Sequence, residues 1–207
     1  MMSEPFTQHT GRVAVLRRDN VDTDQIIPSR EMKSVSRTGL AEGLFAGWRY
    51  TQPGGRLPNS DFVLNKPLQK CATILVSGSN FGCGSSREHA VWALAEYGFR
   101  AIIAESFGEI FYGNCIINGI VPIVMDREKL SAFFAHAKID LTIDLQAQTV
   151  SWEDRADWST MFSIDSYAKR LLLSGLDPIG LTQEKAGSID KFLQKDQAAR
   201  PWVYQTG

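Results

Sequence analysis

Cysteine is scarce in this chain: three in 207 residues, Cys71, Cys83 and Cys115, odd in number and far apart. None of the Cys-x-x-Cys spacing used by zinc and iron–sulfur sites is present, so a disulfide framework is excluded and reduced thiols are expected. Charge of one sign is also missing. With 22 Lys+Arg against 23 Asp+Glu and a formal net charge of -1, the chain has no global field for nucleic acid or anionic lipid. No apolar run approaches the ~20 residues that span a bilayer, and the polar start Met1-Met2-Ser3-Glu4-Pro5 lacks the hydrophobic segment of a secretory signal. A cytoplasmic protein with neither membrane nor nucleic-acid partner is expected. There is no internal repeat or low-complexity segment, and the 17 glycines gather at turns. At this length, and with 43% hydrophobic residues, a single domain over 1–207 with a real core is expected.

What is present centres on Gly78-Ser79-Asn80-Phe81-Gly82-Cys83-Gly84-Ser85-Ser86-Arg87-Glu88-His89-Ala90. It follows the β-branched run Ala72-Thr73-Ile74-Leu75-Val76 and precedes Val91-Trp92-Ala93-Leu94-Ala95-Glu96-Tyr97, whose apolar residues recur at helical spacing. The stretch therefore crosses from a strand to a helix. Its glycines let backbone approach whatever occupies the turn, and Ser85 to Glu88 has the pattern of a capping box with Ser85 as N-cap. A helix N-terminus with an arginine in its first turn suits an anion.

Elsewhere the pattern alternates between element types. Gly11 to Leu16 is expected to form a first strand, Ala101 to Ala104 a buried strand after a C-cap at Gly98, and Val121 to Met125 another. Between the last two, Ser106 and Glu109 suggest a second capping box and Gly119 a helix end. Asp126 is expected to cap a helix to about Ala137. Leu141 to Leu145 and Thr149 to Trp152 read as a hairpin around residues 146–148. From Ile164 the pattern turns helical, with a turn over 175–180 and a helix from about Thr182 to Gln194, after which Pro201 and Trp202 could fasten the tail. Such an order implies a mixed α/β fold with right-handed crossovers.

Asp22 and Asp24, two apart, either brace a turn or begin a metal site; without further ligands they make a poor oxygen cage. Residues 29–60 are irregular and interleave Arg30, Lys33, Arg37, Arg49 and Arg56 with Leu44, Phe45, Trp48 and Tyr50. A loop of such length is either a surface loop with an apolar anchor or a binding segment for a substrate with carboxylates at one end and an alkyl group at the other. From spacing alone, Ser85 is a helix cap, Arg87 a first-turn cation set against the helix dipole, His89 a packed histidine and Cys83 a residue chosen for size.

Gly-Cys-Gly-Ser-Ser-Arg-Glu-His-Ala resembles, residue for residue, the signature of the small swivelling domain of the aconitase superfamily. Within it, the chain resembles the branch of bacterial isopropylmalate-isomerising hydro-lyases in which that domain is a separate small subunit. The resemblance runs through residues 19–28, 58–65, 105–114 and the closing Arg200-Pro201-Trp202, nearly the whole chain. It implies a three-layer β/β/α swivelling domain, here followed by a helical C-terminal extension over about 164–207.

The resemblance also implies roles. Ser85 would be the catalytic base, an alkoxide that takes the proton next to a substrate carboxylate. Ser86 and Arg87 would bind that carboxylate, and Asp24 and Gly84 would surround the site. The family commonly has Phe-Leu-Lys after the proline where this chain has Glu31-Met32-Lys33, so Lys33 carries over as a substrate-binding residue and Glu31 alters the alkyl pocket. The substrate would be a small dicarboxylate: 2- and 3-isopropylmalate interconverted by dehydration and rehydration in leucine biosynthesis, or a homoaconitate- or methylmalate-type acid. The superfamily's [4Fe–4S] cluster has no recognisable nest among three isolated cysteines, so this chain is expected to bind no metal and a large partner subunit to carry the cluster. A third possibility, a nucleotide- or phosphate-binding module, is opposed by the absence of a Gly-x-x-x-x-Gly-Lys-[Ser/Thr] lysine and of a Gly-x-Gly-x-x-Gly match.

Overall fold

The structure, a computed structural model, describes residues 4–32, 36–136 and 138–204. Its elements in chain order are β1 (Gln8–Val15), α1 (Thr23–Ile26), α2 (Ala46–Arg49), β2 (Ile74–Val76), α3 (Glu88–Tyr97), β3 (Ala101–Ala104), α4 (Glu109–Ile117) and β4 (Val121–Val124). After them come α5 (Arg127–Phe134), β5 (Asp140–Asp144), β6 (Thr149–Trp152), β7 (Arg155–Met161), α6 (Ser166–Ser174), α7 (Pro178–Gln183) and α8 (Ala186–Ala199).

The strands form one sheet in the order β4-β3-β2-β1-β5-β6-β7. β4, β3, β2 and β1 run parallel, whereas β1, β5, β6 and β7 are antiparallel. The eight-residue β1 joins the halves by changing partners midway. Gln8 to Arg12 pair with β5, and Val13 to Val15 pair with β2.

Alternation along the parallel strands sends side chains to two cores, as the two-residue period requires. Leu75 and Ile102 join Val91, Leu94, Phe111, Leu44 and Phe45 beneath α3, α4 and the long loop. Ile74, Val76, Ala101 and Ile103 face the other way, toward Leu141, Ile143, Val150, Trp152, Leu130 and Phe133. Helices, parallel sheet and antiparallel meander thus stack in the expected β/β/α order.

Local caps explain where several helices stop and start. Gly98, at φ 114, ends α3 by donating its N–H to Ala95 O and Leu94 O, and Asp165 begins α6 by accepting from Tyr167 N and Ala168 N. Both serine capping boxes fail: α3 has Arg87 at its N-cap and α4 has Gly108, neither with a side-chain cap bond. Asp126 stands at the N-cap of α5 without a side-chain cap bond, and that helix ends at Phe134.

β7 was not anticipated from the sequence. Beyond α6, α7 begins inside the expected turn, capped by Asp177 with Pro178 at its first position, and runs on to Gln183, so that the last helix begins at Ala186 and not near Thr182. No residue of α8 is buried. Its partner is the following turn, where Tyr204 donates to Asp196 at 2.7 Å; Trp202 is 66% exposed, so it does not fasten the tail to the body.

Candidate active site at the carboxyl ends of β1, β2 and β3

The segments leaving the carboxyl ends of β1, β2 and β3 lie side by side, where open parallel sheets place ligands. The middle segment, residues 78–87, is bonded on both flanks over residues 78–83. Toward the β1 segment, Gly78 N donates to Arg18 O (3.0 Å), Ser79 N to Asp19 Oδ1 (2.8 Å), Gly82 N to Val21 O (2.7 Å), and Thr23 N returns to Cys83 O (3.0 Å). Toward the β3 segment, Asn80 N donates to Ser106 Oγ (2.8 Å), Phe81 N to Ser106 O (2.9 Å), and Gly108 N returns to Phe81 O (2.9 Å).

This crowding is why the segment needs glycine. A Cβ on Gly78 would lie 2.0 Å from Asp19 Oδ1, and one on Gly82, whose φ is +75, would lie 2.1 Å from the Phe111 ring. What approaches the glycine backbone is therefore the protein itself. A phosphate cradle would need that space, so the glycines give the nucleotide-binding alternative no support.

The braced segment delivers Gly84 (φ +90), Ser85 and Ser86 to the surface, all exposed, with Arg87 half-buried. Ser85 lies before α3, outside its first turn. Its hydroxyl meets Thr23 Oγ1 at 3.1 Å, in place of the expected helix N–H groups. The Arg87 guanidinium forms an ion pair with Asp24, which also accepts from Ser29 Oγ at 3.2 Å. Structure thus brings together Ser85, Ser86, Arg87, Gly84 and Asp24 from the predicted set; Lys33 lies outside the described residues.

Asp22 settles as a turn brace. It caps α1 by accepting from Gln25 N at 2.7 Å while Gln25 Oε1 accepts from Asp22 N at 3.0 Å. His89 packs on Trp92 with ring centroids 4.6 Å apart, as expected of a packed histidine.

Beside the Asp24–Arg87 pair opens a cleft of about 430 Å³ lined by Asp24, Gln25, Pro28, Ser29, Arg30, Gly47 and Trp48. Most cations of the long loop serve the loop itself. Arg49 donates to Ala41 O at 2.8 Å, Arg56 pairs with Glu31 at 2.7 Å, and Arg37 lies over Trp92. Glu31 is buried, pairs with Arg56 and sits against Gly43, so it straps the loop from inside and does not line the cleft.

Three contributors escaped the sequence reading. Thr23 stood between two aspartates that drew attention as carboxylates. Glu96 sits in the last turn of α3, against the helix dipole, a misplaced acid that signals a partner. It accepts from Gly39 N, Leu40 N and Ala41 N at 2.6, 2.5 and 2.9 Å, docking the loop on α3. Arg127 bridges Asp19 (2.8 Å) and Glu105 (2.9 Å) behind the site. The Asp19 carboxyl is held below its ordinary range, chiefly by the Ser79 N–H and then by Arg127.

The cysteines do not converge. Cys71 precedes β2 and Cys83 follows it; Cys115 is buried in α4, where desolvation pushes its thiol well up. Among the described residues no three His, Cys, Asp or Glu form a metal-binding group, so the side chains present do not fit an iron–sulfur cluster.

Residues 3–128 match the Aconitase C-terminal domain family. The chain is 52% identical over 209 aligned residues to a 3-isopropylmalate dehydratase small subunit from Cupriavidus necator, covering 99% of this chain and 100% of that one. A second such small subunit, from Rhizobium meliloti (strain 1021), is 49% identical over 204 residues, covering 97% and 100%. The crystal structure of 3-isopropylmalate dehydratase (leuD) from Methanocaldococcus jannaschii superposes with a TM-score of 0.67 at 27% identity, covering 89% of this chain and 99% of that one.

Proposed function

Since the chain belongs to the 3-isopropylmalate dehydratase small-subunit family and carries an Aconitase C-terminal domain, we propose that it supplies the proton-transfer and carboxylate-binding edge of a two-subunit hydro-lyase. The enzyme isomerises 2-isopropylmalate and 3-isopropylmalate by dehydration and rehydration, a step of leucine biosynthesis. One observation carries the assignment of roles: Ser85, Ser86 and Arg87 reach the surface together at the ends of the parallel strands, with the guanidinium already oriented by Asp24.

Arg87, a planar two-donor fork, binds a substrate carboxylate in place of or alongside Asp24, and Ser86 adds a hydroxyl donor. Ser85 Oγ, as alkoxide, accepts the proton from the carbon next to that carboxylate and returns a proton when water re-adds at the other position. Arg87 favours the anionic oxygen electrostatically. Ser85 and Ser86 are exposed, so the site needs another surface to exclude water, and the large subunit is the natural cover. The iron–sulfur cluster implied by the superfamily belongs in this reading to that subunit, because the three cysteines here lie apart, before β2, after β2 and within α4. The chain works in the cytoplasm with its partner and a small dicarboxylate.

The test is Ser85→Ala in the reconstituted complex. Turnover is expected to fall by about 100-fold or more with KM little changed, because general-base catalysis contributes about 10²–10⁴-fold. Wild-type turnover in that variant would remove Ser85 from the mechanism. Anaerobic iron–sulfur reconstitution of this chain alone is expected to yield no chromophore, and stoichiometric cluster binding would overturn the division of labour.

A further inference from the structure

Thr23 is 2% exposed, one of very few polar side chains buried in the described structure. A buried hydroxyl needs partners, and this one has found them all on Ser85. Thr23 Oγ1 lies 3.1 Å from Ser85 O and 3.1 Å from Ser85 Oγ, while its backbone N–H donates to Cys83 O at 3.0 Å. The threonine cannot wander, because α1 is closed at its start by the Asp22–Gln25 box and Ile27 N donates back to Thr23 O at 2.9 Å.

The proton arithmetic of the pair is informative. With Ser85 neutral, its O–H donates to Thr23 Oγ1 and the Thr23 O–H donates to the Ser85 carbonyl, so each hydrogen has an acceptor. With Ser85 deprotonated, the hydrogen on Thr23 can rotate from the carbonyl to Ser85 Oγ, at the same heavy-atom distance. We infer that Thr23 is a positioning residue for the reaction: its buried hydroxyl fixes the Ser85 oxygen and supplies the hydrogen bond that the alkoxide accepts. Thr23 keeps its own proton throughout and touches no substrate atom. The inference rests on the reading of Ser85 as the base.

The reconstituted complex tests it with Thr23→Val, Thr23→Ser, Ser85→Ala and the Ser85→Ala/Thr23→Val double variant. A hydrogen bond to a charged group corresponds to a rate factor of about 10- to 100-fold. Thr23→Val is therefore expected to lower kcat by that factor, with KM within about threefold, and to move the rise of kcat to higher pH because the alkoxide has lost a donor. Thr23→Ser keeps the hydroxyl and should retain kcat within about threefold of wild type. The double variant should be no slower than Ser85→Ala, since Thr23 acts only through Ser85.

Wild-type kcat and pH profile in Thr23→Val, alongside a crippled Ser85→Ala, would overturn the role of Thr23 alone. Full activity in Ser85→Ala would overturn the underlying reading as well. A Thr23→Ser variant as slow as Thr23→Val, or further slowing in the double variant, would mean that the residue only packs the loop, overturning the inference. Should Thr23→Val fail to join its partner subunit, Thr23→Cys replaces it. A reduced kcat with unchanged melting then supports the inference, and wild-type kcat overturns it.

Discussion

The segment over 78–87 and the loop over 36–50 flank the same site but are held by different means. The first is a backbone structure: from Gly78 to Cys83 it is bonded through N–H and C=O groups to the chain on both sides, and Gly78 and Gly82 have protein where a Cβ would stand. The second is tied largely by side chains, Glu96 of α3 on its amides and the loop's own Arg49 on Ala41 O. A side-chain tie can be exchanged residue by residue, whereas a backbone ladder changes only if the chain path changes. In the proposed function the chemistry thus sits directly after the part that cannot drift, and the cleft proposed to take the rest of the substrate is lined in part by the loop that can.

The sharpest way to break this contrast is to add one methyl group to each region. Gly82→Ala forces a left-handed backbone onto an L-residue and drives a Cβ into the Phe111 ring. About 1–2 kcal/mol for the backbone and about 1–3 kcal/mol for overpacking predict a loss of roughly 2–5 kcal/mol. In α2, Gly47 has nothing within 4 Å of its would-be Cβ. Gly47→Ala should instead add about 0.5–1 kcal/mol, as alanine does in a helix. Denaturant unfolding of both variants measures the difference, and equal effects would erase the distinction.

A smaller effect is expected from exchanging the cleft. Pro28, Ser29, Arg30, Gly47 and Trp48 line it beside the Asp24–Arg87 pair, so replacing residues 29–50 with those of a relative of different substrate preference should shift relative kcat/KM among alkylmalates. Apolar pockets discriminate a methylene by about 1–3 kcal/mol, so the shift should be about 10- to 200-fold without loss of turnover. An unchanged preference profile would move the alkyl pocket to the large subunit.

How much of this was legible in sequence varied with the physics involved. β3 was readable in full because Ala101 to Ala104 is an uninterrupted apolar run buried on both faces. The β5–β6 hairpin was readable because Leu141 and Ile143 alternate with polar neighbours. β7 gave no such signal. It is an edge strand whose pairing with β6 is interrupted by a register shift, Trp152 opposite Arg155 but Ser151 opposite Ser159, and Arg155, Asp157, Ser159 and Thr160 have no one-sided apolar pattern. The two serine capping boxes failed because a cap pattern cannot say where the helix begins. Here backbone bonds to both flanks hold the chain as far as Cys83, and a tight turn in which Arg87 N donates to Ser85 O follows, so α3 starts two residues later than the serine suggests. Ser85, Arg87 and Asp24 were named through family resemblance, and the Arg87–Asp24 contact supports grouping them. Thr23 needed the fold, since nothing in Asp22-Thr23-Asp24 reveals that its hydroxyl turns toward a residue 62 positions away.

The smallest expected effect probes the side-chain tie itself. Partial burial alone would push the Glu96 carboxyl up, but the amides of Gly39, Leu40 and Ala41 outweigh it and hold the group below its ordinary range. A depressed carboxylate contributes stability that is present above its unfolded pKa and is lost as pH falls through its folded pKa. Glu96→Gln keeps the shape and one acceptor but loses the charge. Because the group is largely exposed, the charge-assisted bonds are discounted to about 1 kcal/mol. Amide exchange at Gly39, Leu40 and Ala41 should therefore be faster in Glu96→Gln than in the wild type near neutral pH. The two should converge only once the pH has fallen through the depressed folded pKa, below the ordinary carboxylate range, where the wild-type carboxyl also loses its charge. The amides of Phe81 and Gly82, bonded to Ser106 O and Val21 O, should be indifferent to the substitution. If their exchange rose together with that of residues 39–41, the two regions would form one cooperative unit, and the separation of fixed chemistry from adjustable recognition would fail.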